Sequence, residues 1–232
     1  MLKHLLEIHQ KSLKNNIDFY TPNGLHVYFK EPIDNDKIDI ENVISTLEGK
    51  VPSHLFADIE MVIVGWFEEF EKRDINAFYD SGTICISNIQ DDEEDLLDDL
   101  LHEIAHATES EYGYNIYGDE KIKEEFLRKR KHLHDILWSH GYKAPLSFFM
   151  DSEFNQEFDD FLHKKVGYDK LSPLVQGLFI SAYAATSLRE YYATAFTEYY
   201  LDSNHNFLKK ISPQVYKKIN ELQNPDFLDT GP

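Results

Sequence analysis

The chain has few of the features that mark disulfide-stabilised or nucleic-acid-binding proteins. Its 232 residues include one cysteine, so no disulfide can form within the chain. That residue, Cys85, lies in an apolar run, which favours a buried core thiol over a metal ligand or nucleophile. Basic residues number 23 against 42 acidic ones, a formal net charge of −19. Because such a surface repels phosphate backbones and anionic lipids, we expect neither nucleic-acid nor membrane partners.

Long hydrophobic segments are also missing. The longest apolar run, residues 61–67, is too short to cross a bilayer. The N-terminal sequence MLKHLLEIHQKSLKNN lacks the unbroken apolar stretch of a secretory signal. The sequence therefore predicts a cytoplasmic or otherwise soluble protein. There is no internal repeat and no long Gly-, Ser- or Pro-rich linker, so we expect a single domain over residues 1–232.

Strand patterns come first and helical patterns follow, which predicts an α+β fold. We expect an amphipathic helix over 1–19, a strand at 25–30 after the Asn23-Gly24 turn, a helix at 39–48 and a strand at 58–67. A hairpin should join residues 77–79 to 83–87 through Asp80-Ser81-Gly82. The remaining segments have helical patterns and lie at 91–110, 119–140, 152–166, 173–183, 188–201 and 212–223. Residues 1–110 should hold a small mixed sheet and an active-site helix, and 111–232 a helical lobe.

One motif carries metal chemistry. Residues 102–106 read His-Glu-Ile-Ala-His, the HExxH pattern. On a helix, His102 and His106 would share a face and could bind one Zn²⁺. Glu103 would then act as general base on a metal-bound water. An apolar helical stripe and the acidic residues 91–95 before it support a helix here. The whole acidic stretch 91–99 could attract basic substrates, but we interpret it as a solvated helix start.

A catalytic zinc needs a third protein ligand, for which several residues compete. Glu109 and Tyr112 stand where the metzincin continuation has Gly and His, which excludes that subclass. Glu190 is the best candidate, in the first turn of a predicted aromatic helix. Ser187 and Glu190 also form a capping-box pattern, in which the glutamate merely satisfies a backbone N–H. His132 and His134 are further candidates, although they fall on a helix predicted to be charged and solvated.

These residues resemble a known family. HEIAHATESEYGY, followed by Tyr183 and by Glu190-Tyr-Tyr-Ala-x-Ala-Phe, is similar to the catalytic domain of anthrax lethal factor and the Pro-Pro endopeptidases, a branch of the gluzincins. The resemblance covers about residues 75–225 in motif order and is close at 83–112 and 180–200. It implies a zincin-like fold, Glu190 as third zinc ligand, and Tyr183 as hydrogen-bond donor to the oxyanion. Thr194 departs from the family, which often has an acidic residue there.

The sequence therefore predicts a zinc-dependent metalloendopeptidase that acts on a peptide or protein substrate. An extended substrate would add to the edge strand at Ala77, Phe78 and Tyr79. Two alternatives remain: a zinc amidohydrolase acting on a small amide or a cell-wall peptide, and a non-catalytic zincin scaffold. Elsewhere, we interpret the basic run at 128–131 as a charged helix face and the aromatic residues 191–200 as core packing.

Overall fold

The structure, a computed structural model, describes residues 18–225. The chain forms two compact units that divide between Glu111 and Tyr112. The α+β prediction is confirmed, since the sheet lies in the first unit and the second unit is helical. The helix predicted over 1–19 lies outside the described residues except at its end, where Phe19 belongs to a strand. Across the described range, no helix combines the length and apolar character needed to cross a membrane.

The first unit contains a five-stranded mixed sheet with the order β1-β2-β3-β5-β4. The three inner strands run parallel, and β1 and β4 pair antiparallel with their neighbours. Within residues 18–225, β4 pairs only with β5 and is therefore an edge strand. The strands in chain order are β1 (Phe19–Tyr20), β2 (His26–Phe29), β3 (Met61–Val64), β4 (Ala77–Asp80) and β5 (Thr83–Ile86).

Turn chemistry and alternation explain this sheet. Asp80 pairs with Thr83, and the residues between them, Ser81 and Gly82, have φ of 48° and 84°. Two successive positive φ values define the type I′ turn that matches strand twist, so the predicted hairpin is confirmed. Alternate positions of the inner strands have side chains that are almost fully buried, as period-2 alternation requires: Val27, Val62, Val64, Ile84 and Ile86.

Three α-helices and a short 3-10 turn, Ser53–Leu55, complete the first unit within the described residues. Helix α1 (Ile40–Lys50) begins one residue after its predicted start, because Asp39 caps it by accepting a hydrogen bond from the Asn42 amide at 3.1 Å. The short helix α2 (Glu68–Arg73) was not predicted. Helix α3 (Glu93–Tyr117) runs seven residues beyond its predicted end and continues into the second unit. It is kinked at Tyr112, where φ is −107° and ψ is 18°.

The second unit is built from seven further helices and a short 3-10 turn, Tyr183–Ala185. The helices are α4 (Lys121–Ser139), α5 (Leu146–Phe149), α6 (Gln156–Asp160, continued by a π-helical turn, Phe161–Val166), α7 (Tyr168–Val175), α8 (Leu188–Leu201), α9 (Asn206–Ile211) and α10 (Pro213–Leu222). The predictions at 119–140, 188–201 and 212–223 match α4, α8 and α10. The helix predicted at 173–183 is wrong, because α7 ends before Gly177, whose φ of 84° leaves the right-handed helical region.

The second unit has an aromatic core, as predicted for residues 191–200. The rings of Phe126, Phe179 and Tyr191 lie 5.5–6.1 Å apart, and Tyr192 and Phe196 are fully buried.

The interpretation of residues 128–131 as a charged helix face is wrong for Arg130, which is completely buried. Its neighbour Lys129 is partly buried and donates to the Leu178 carbonyl at 2.7 Å and to the Ile211 carbonyl. Burial lowers the pKa of Lys129 to about 8. This basic run therefore anchors α4 to other segments of the second unit.

Candidate metal centre

The HExxH motif lies inside α3, as predicted. The helix is capped by Asp92, whose Oδ1 accepts from the amides of Glu94 at 2.8 Å and Asp95 at 3.0 Å. The side chains of its apolar stripe are buried: Leu96, Leu97, Leu100, Leu101 and Ile104. His102 and His106 are one turn apart, and their ring centroids are 5.0 Å from each other. Helical spacing therefore brings the two imidazoles together.

Glu103 follows the first histidine and is buried, with 7% of its surface exposed. Buried carboxylates are uncommon, because removing an ionised group from water is unfavourable unless it has partners. A carboxylate can accept a proton, and Glu103 directly follows a candidate ligand histidine. Its role as general base stays a prediction.

The predicted solvated helix start holds for Asp92 but fails closer to the motif. The Asp99 carboxylate accepts a hydrogen bond from Gln90 Nε2 at 3.2 Å. Burial raises the pKa of Asp99 to about 6. Asp98, beside it, is exposed. The acid run is therefore solvated except at Asp99, whose carboxyl is partly desolvated.

Glu109 is a site residue that the sequence interpretation missed. Its Oε2 lies 2.8 Å from Nδ1 of His106, and the two side chains are 6% and 13% exposed. A carboxylate on Nδ1 fixes the ring orientation and makes Nε2 the nitrogen that would bind a metal. The signal was the i, i+3 spacing from His106, which we considered only as a departure from the metzincin pattern.

Glu190 lies in the first turn of α8, where its backbone serves the helix cap. Its amide donates to Ser187 Oγ at 3.2 Å, which confirms the capping role predicted for Ser187. Its carboxylate joins a second arrangement: one ligand atom from each of His102, His106 and Glu190 lies within 4.8 Å of the others. Among residues 18–225 this is the group of side chains that could hold a metal ion. The observed cap uses the Glu190 amide. The alternative in which the Glu190 carboxylate satisfies a backbone N–H stays a prediction.

The chemistry of the donors fits a transition metal. Two imidazole nitrogens and one carboxylate oxygen form the ligand set of many catalytic zinc ions, which keep one position open. Hard cations such as Ca²⁺ and Mg²⁺ prefer oxygen donors throughout. All three residues are half-buried. His132 and His134 are not part of this group; the His134 ring instead packs edge-on against Phe149 at 5.1 Å.

Tyr183 begins the 3-10 turn that precedes α8, and 36% of its surface is exposed. Its carbonyl accepts from the amide of Thr186 at 2.9 Å and from the Thr186 hydroxyl at 2.8 Å. The backbone of Tyr183 is therefore well anchored. Its role as oxyanion donor stays a prediction.

The residues predicted to bind substrate lie on edge strand β4. Their side chains make structural contacts: Ala77 is buried, the Phe78 ring packs 5.8 Å from Phe67 and Phe70, and the Tyr79 hydroxyl accepts from the Gly82 amide at 3.1 Å. Substrate addition here would have to use the backbone of the strand. That binding mode stays a prediction.

Comparison with protein-family models, with curated proteins and with solved structures finds no match for this chain. The arguments for function therefore rest on the residues and their geometry.

Proposed function

We propose that this chain is a zinc metallopeptidase of the gluzincin type with a zincin-like fold. The observation that carries the proposal is the grouping of His102, His106 and Glu190 within 4.8 Å. These three residues would hold the metal. A bound zinc would act as a Lewis acid toward a peptide carbonyl and lower the pKa of a coordinated water.

The remaining steps belong to side chains of this protein. The carboxylate of Glu103 would take a proton from the attacking water and pass it to the leaving amine nitrogen. The Glu109 carboxylate would hold the His106 ring in its ligating orientation. Tyr183, by its resemblance to the gluzincin tyrosine, would donate its hydroxyl to the oxyanion. A purely structural zinc would need neither Glu103 nor Tyr183.

Metal content tests the proposal most directly. Purified wild type should contain about one zinc per chain by elemental analysis, and Glu190→Ala should contain much less. Glu198→Ala is the matched control, because it removes a carboxylate from the same helix outside the ligand group. Wild-type protein without metal after preparation free of chelators would overturn the proposal. If Glu190→Ala retained its zinc, Glu190 would not be the third ligand.

Metal removal separates a catalytic zinc from a structural one. Chelation should abolish cleavage of a peptide library, read by mass spectrometry, and leave the cooperative unfolding transition in place. Loss of that transition on chelation would favour the non-catalytic scaffold. Cleavage of small amides without cleavage of any library peptide would favour the amidohydrolase.

A further inference from the structure

Several hydrogen bonds hold the segment that leads into α8. In the 3-10 turn, the Thr186 amide donates to the Tyr183 carbonyl at 2.9 Å, and the Ala185 amide donates to the Ala182 carbonyl at 3.2 Å. One residue later, Ser187 caps α8 through the Glu190 amide. We call residues 185–187 the joint, because they connect the turn that carries Tyr183 to the helix that carries Glu190.

Arg130 of α4 binds the carbonyls of this joint. Its Nη1 donates to the carbonyl of Ala185 at 3.2 Å and to that of Thr186 at 3.1 Å. Its Nη2 donates to the carbonyl of Phe148, at the end of α5. The side chain is completely buried. A single guanidinium therefore ties the joint to two helices that are distant in sequence.

Burial of this cation is not explained by stability alone. Its Nε is buried and has no hydrogen-bond acceptor among the described residues. Burial lowers the pKa of Arg130. The group stays charged at neutral pH, because the ordinary pKa of an arginine side chain lies above 12. An apolar side chain of similar size would avoid this desolvation. Unlike an apolar side chain, the arginine makes directional contacts. Its planar guanidinium donates to adjacent carbonyls, and its Cζ lies 3.9 Å from the centroid of the Phe158 ring.

We propose that Arg130 is a positioning residue of the metal centre. By holding the Ala185 and Thr186 carbonyls it sets where α8 begins, and with it the place of Glu190, three residues beyond the Ser187 cap. The same contacts fix the turn that carries Tyr183. This inference rests on the proposed function, in which Glu190 is a ligand.

The test compares Arg130→Met and Arg130→Lys with wild type. Methionine fills the space without donors, and lysine keeps the charge but lacks the planar fork. Lys129→Met is the matched control, because it removes the adjacent, partly buried cation, which also binds carbonyls but those of Leu178 and Ile211. Three quantities are measured for each protein: zinc affinity by chelator competition, amide hydrogen exchange of residues 184–191 without metal, and thermal unfolding.

Arg130→Met should weaken zinc binding by about 10- to 100-fold, the range expected when a group that orients a metal ligand is removed. Relative to wild type, exchange in this variant should accelerate more at the amides of the joint than at those of the rest of the second unit. Arg130→Lys should lie between Arg130→Met and wild type. Lys129→Met should keep zinc affinity within about 2-fold, whatever its effect on unfolding. Lys129 donates to carbonyls outside the joint, and it meets α8 through the face of the Tyr191 ring, 4.9 Å from its ammonium, so the exchange comparison with this control uses residues 184–187.

The possible failures are distinguishable. Unchanged exchange at 184–191 in both Arg130 variants would overturn the role of Arg130 in fixing the joint. Faster exchange with wild-type zinc affinity would overturn the link from joint to ligand. Loss of cooperative unfolding in both variants would make Arg130 a general stability residue and overturn the positioning role. Absence of zinc from wild type would overturn the proposed function, while exchange would still report on the joint.

Discussion

Helices α3 and α8 both carry candidate metal ligands, but they position them in different ways. In α3, His102 and His106 come together because four helical residues bring a side chain back to the same face. Glu109, which orients His106, lies on the same helix. In α8, Glu190 depends on a cap at Ser187 and on contacts from Arg130, which precedes its acceptors by 55 and 56 residues. The histidine pair is a local property of the sequence, and the position of the glutamate is a property of the folded second unit.

This difference has a practical consequence for substitutions. Changes in α3 should alter the centre through the residue replaced, since neighbouring ligands are held by the helix itself. Changes far from α8 should alter the centre through Glu190, because its placement depends on distant contacts. Destabilising the second unit should therefore weaken metal binding before it affects the histidine pair.

The largest expected effect lies in α3. Glu103→Gln should lower kcat about 10³-fold, the middle of the range for a lost general base, and leave zinc content unchanged. The control is Glu94→Gln, which neutralises an exposed carboxylate on the same helix. Zinc content and turnover on a cleaved library peptide are measured together. Full turnover in Glu103→Gln would remove this residue from the mechanism.

A smaller effect is expected ahead of α8. Tyr183→Phe should lower kcat about 10²-fold, as for one oxyanion donor, with KM and zinc affinity unchanged. Its side chain is partly exposed, so the unfolding temperature should hardly change. Tyr114→Phe, at a tyrosine with 73% exposure, is the control. An unaltered kcat would show that α8 and the turn before it contribute a ligand and no catalytic group.

The smallest effect concerns orientation within α3. Glu109→Gln keeps the shape of the side chain but weakens its hold on Nδ1 of His106, so zinc affinity should fall about 10-fold. Glu111→Gln, an exposed position two residues later, should bind zinc like wild type. Chelator competition gives both affinities. Equal affinities in the two variants would mean that the helix alone orients His106.

The parts of the fold that could be predicted are those with local causes. The hairpin follows from Ser81-Gly82, and the helical HExxH motif follows from its apolar stripe and acidic start. The mixed sheet and helical second half follow from the order of these patterns. The histidine pair and Glu190 as a candidate ligand could also be predicted, because both rest on local sequence patterns.

The remainder depends on contacts that leave no pattern in the sequence. Arg130 stands in a basic run typical of a solvated helix face. Its acceptors are backbone carbonyls, which every residue has, so no residue type in the sequence indicates them. Glu109 had a visible spacing, but its value depends on burial. The helix predicted at 173–183 failed because Gly177, rather than Pro173, sets the boundary: α7 continues through the proline.

Cys85 gives the sheet a chemical reporter of its own. The thiol lies in β5 with 7% exposure, and burial followed by the nearby Asp80 charge raises its pKa to about 11. At neutral pH it stays protonated, so thiol reagents should label it only when β5 opens. Because the chain has no second cysteine, the labelling rate would follow opening of this one strand. Events in the first unit could thus be timed separately from zinc loss and from changes at the joint.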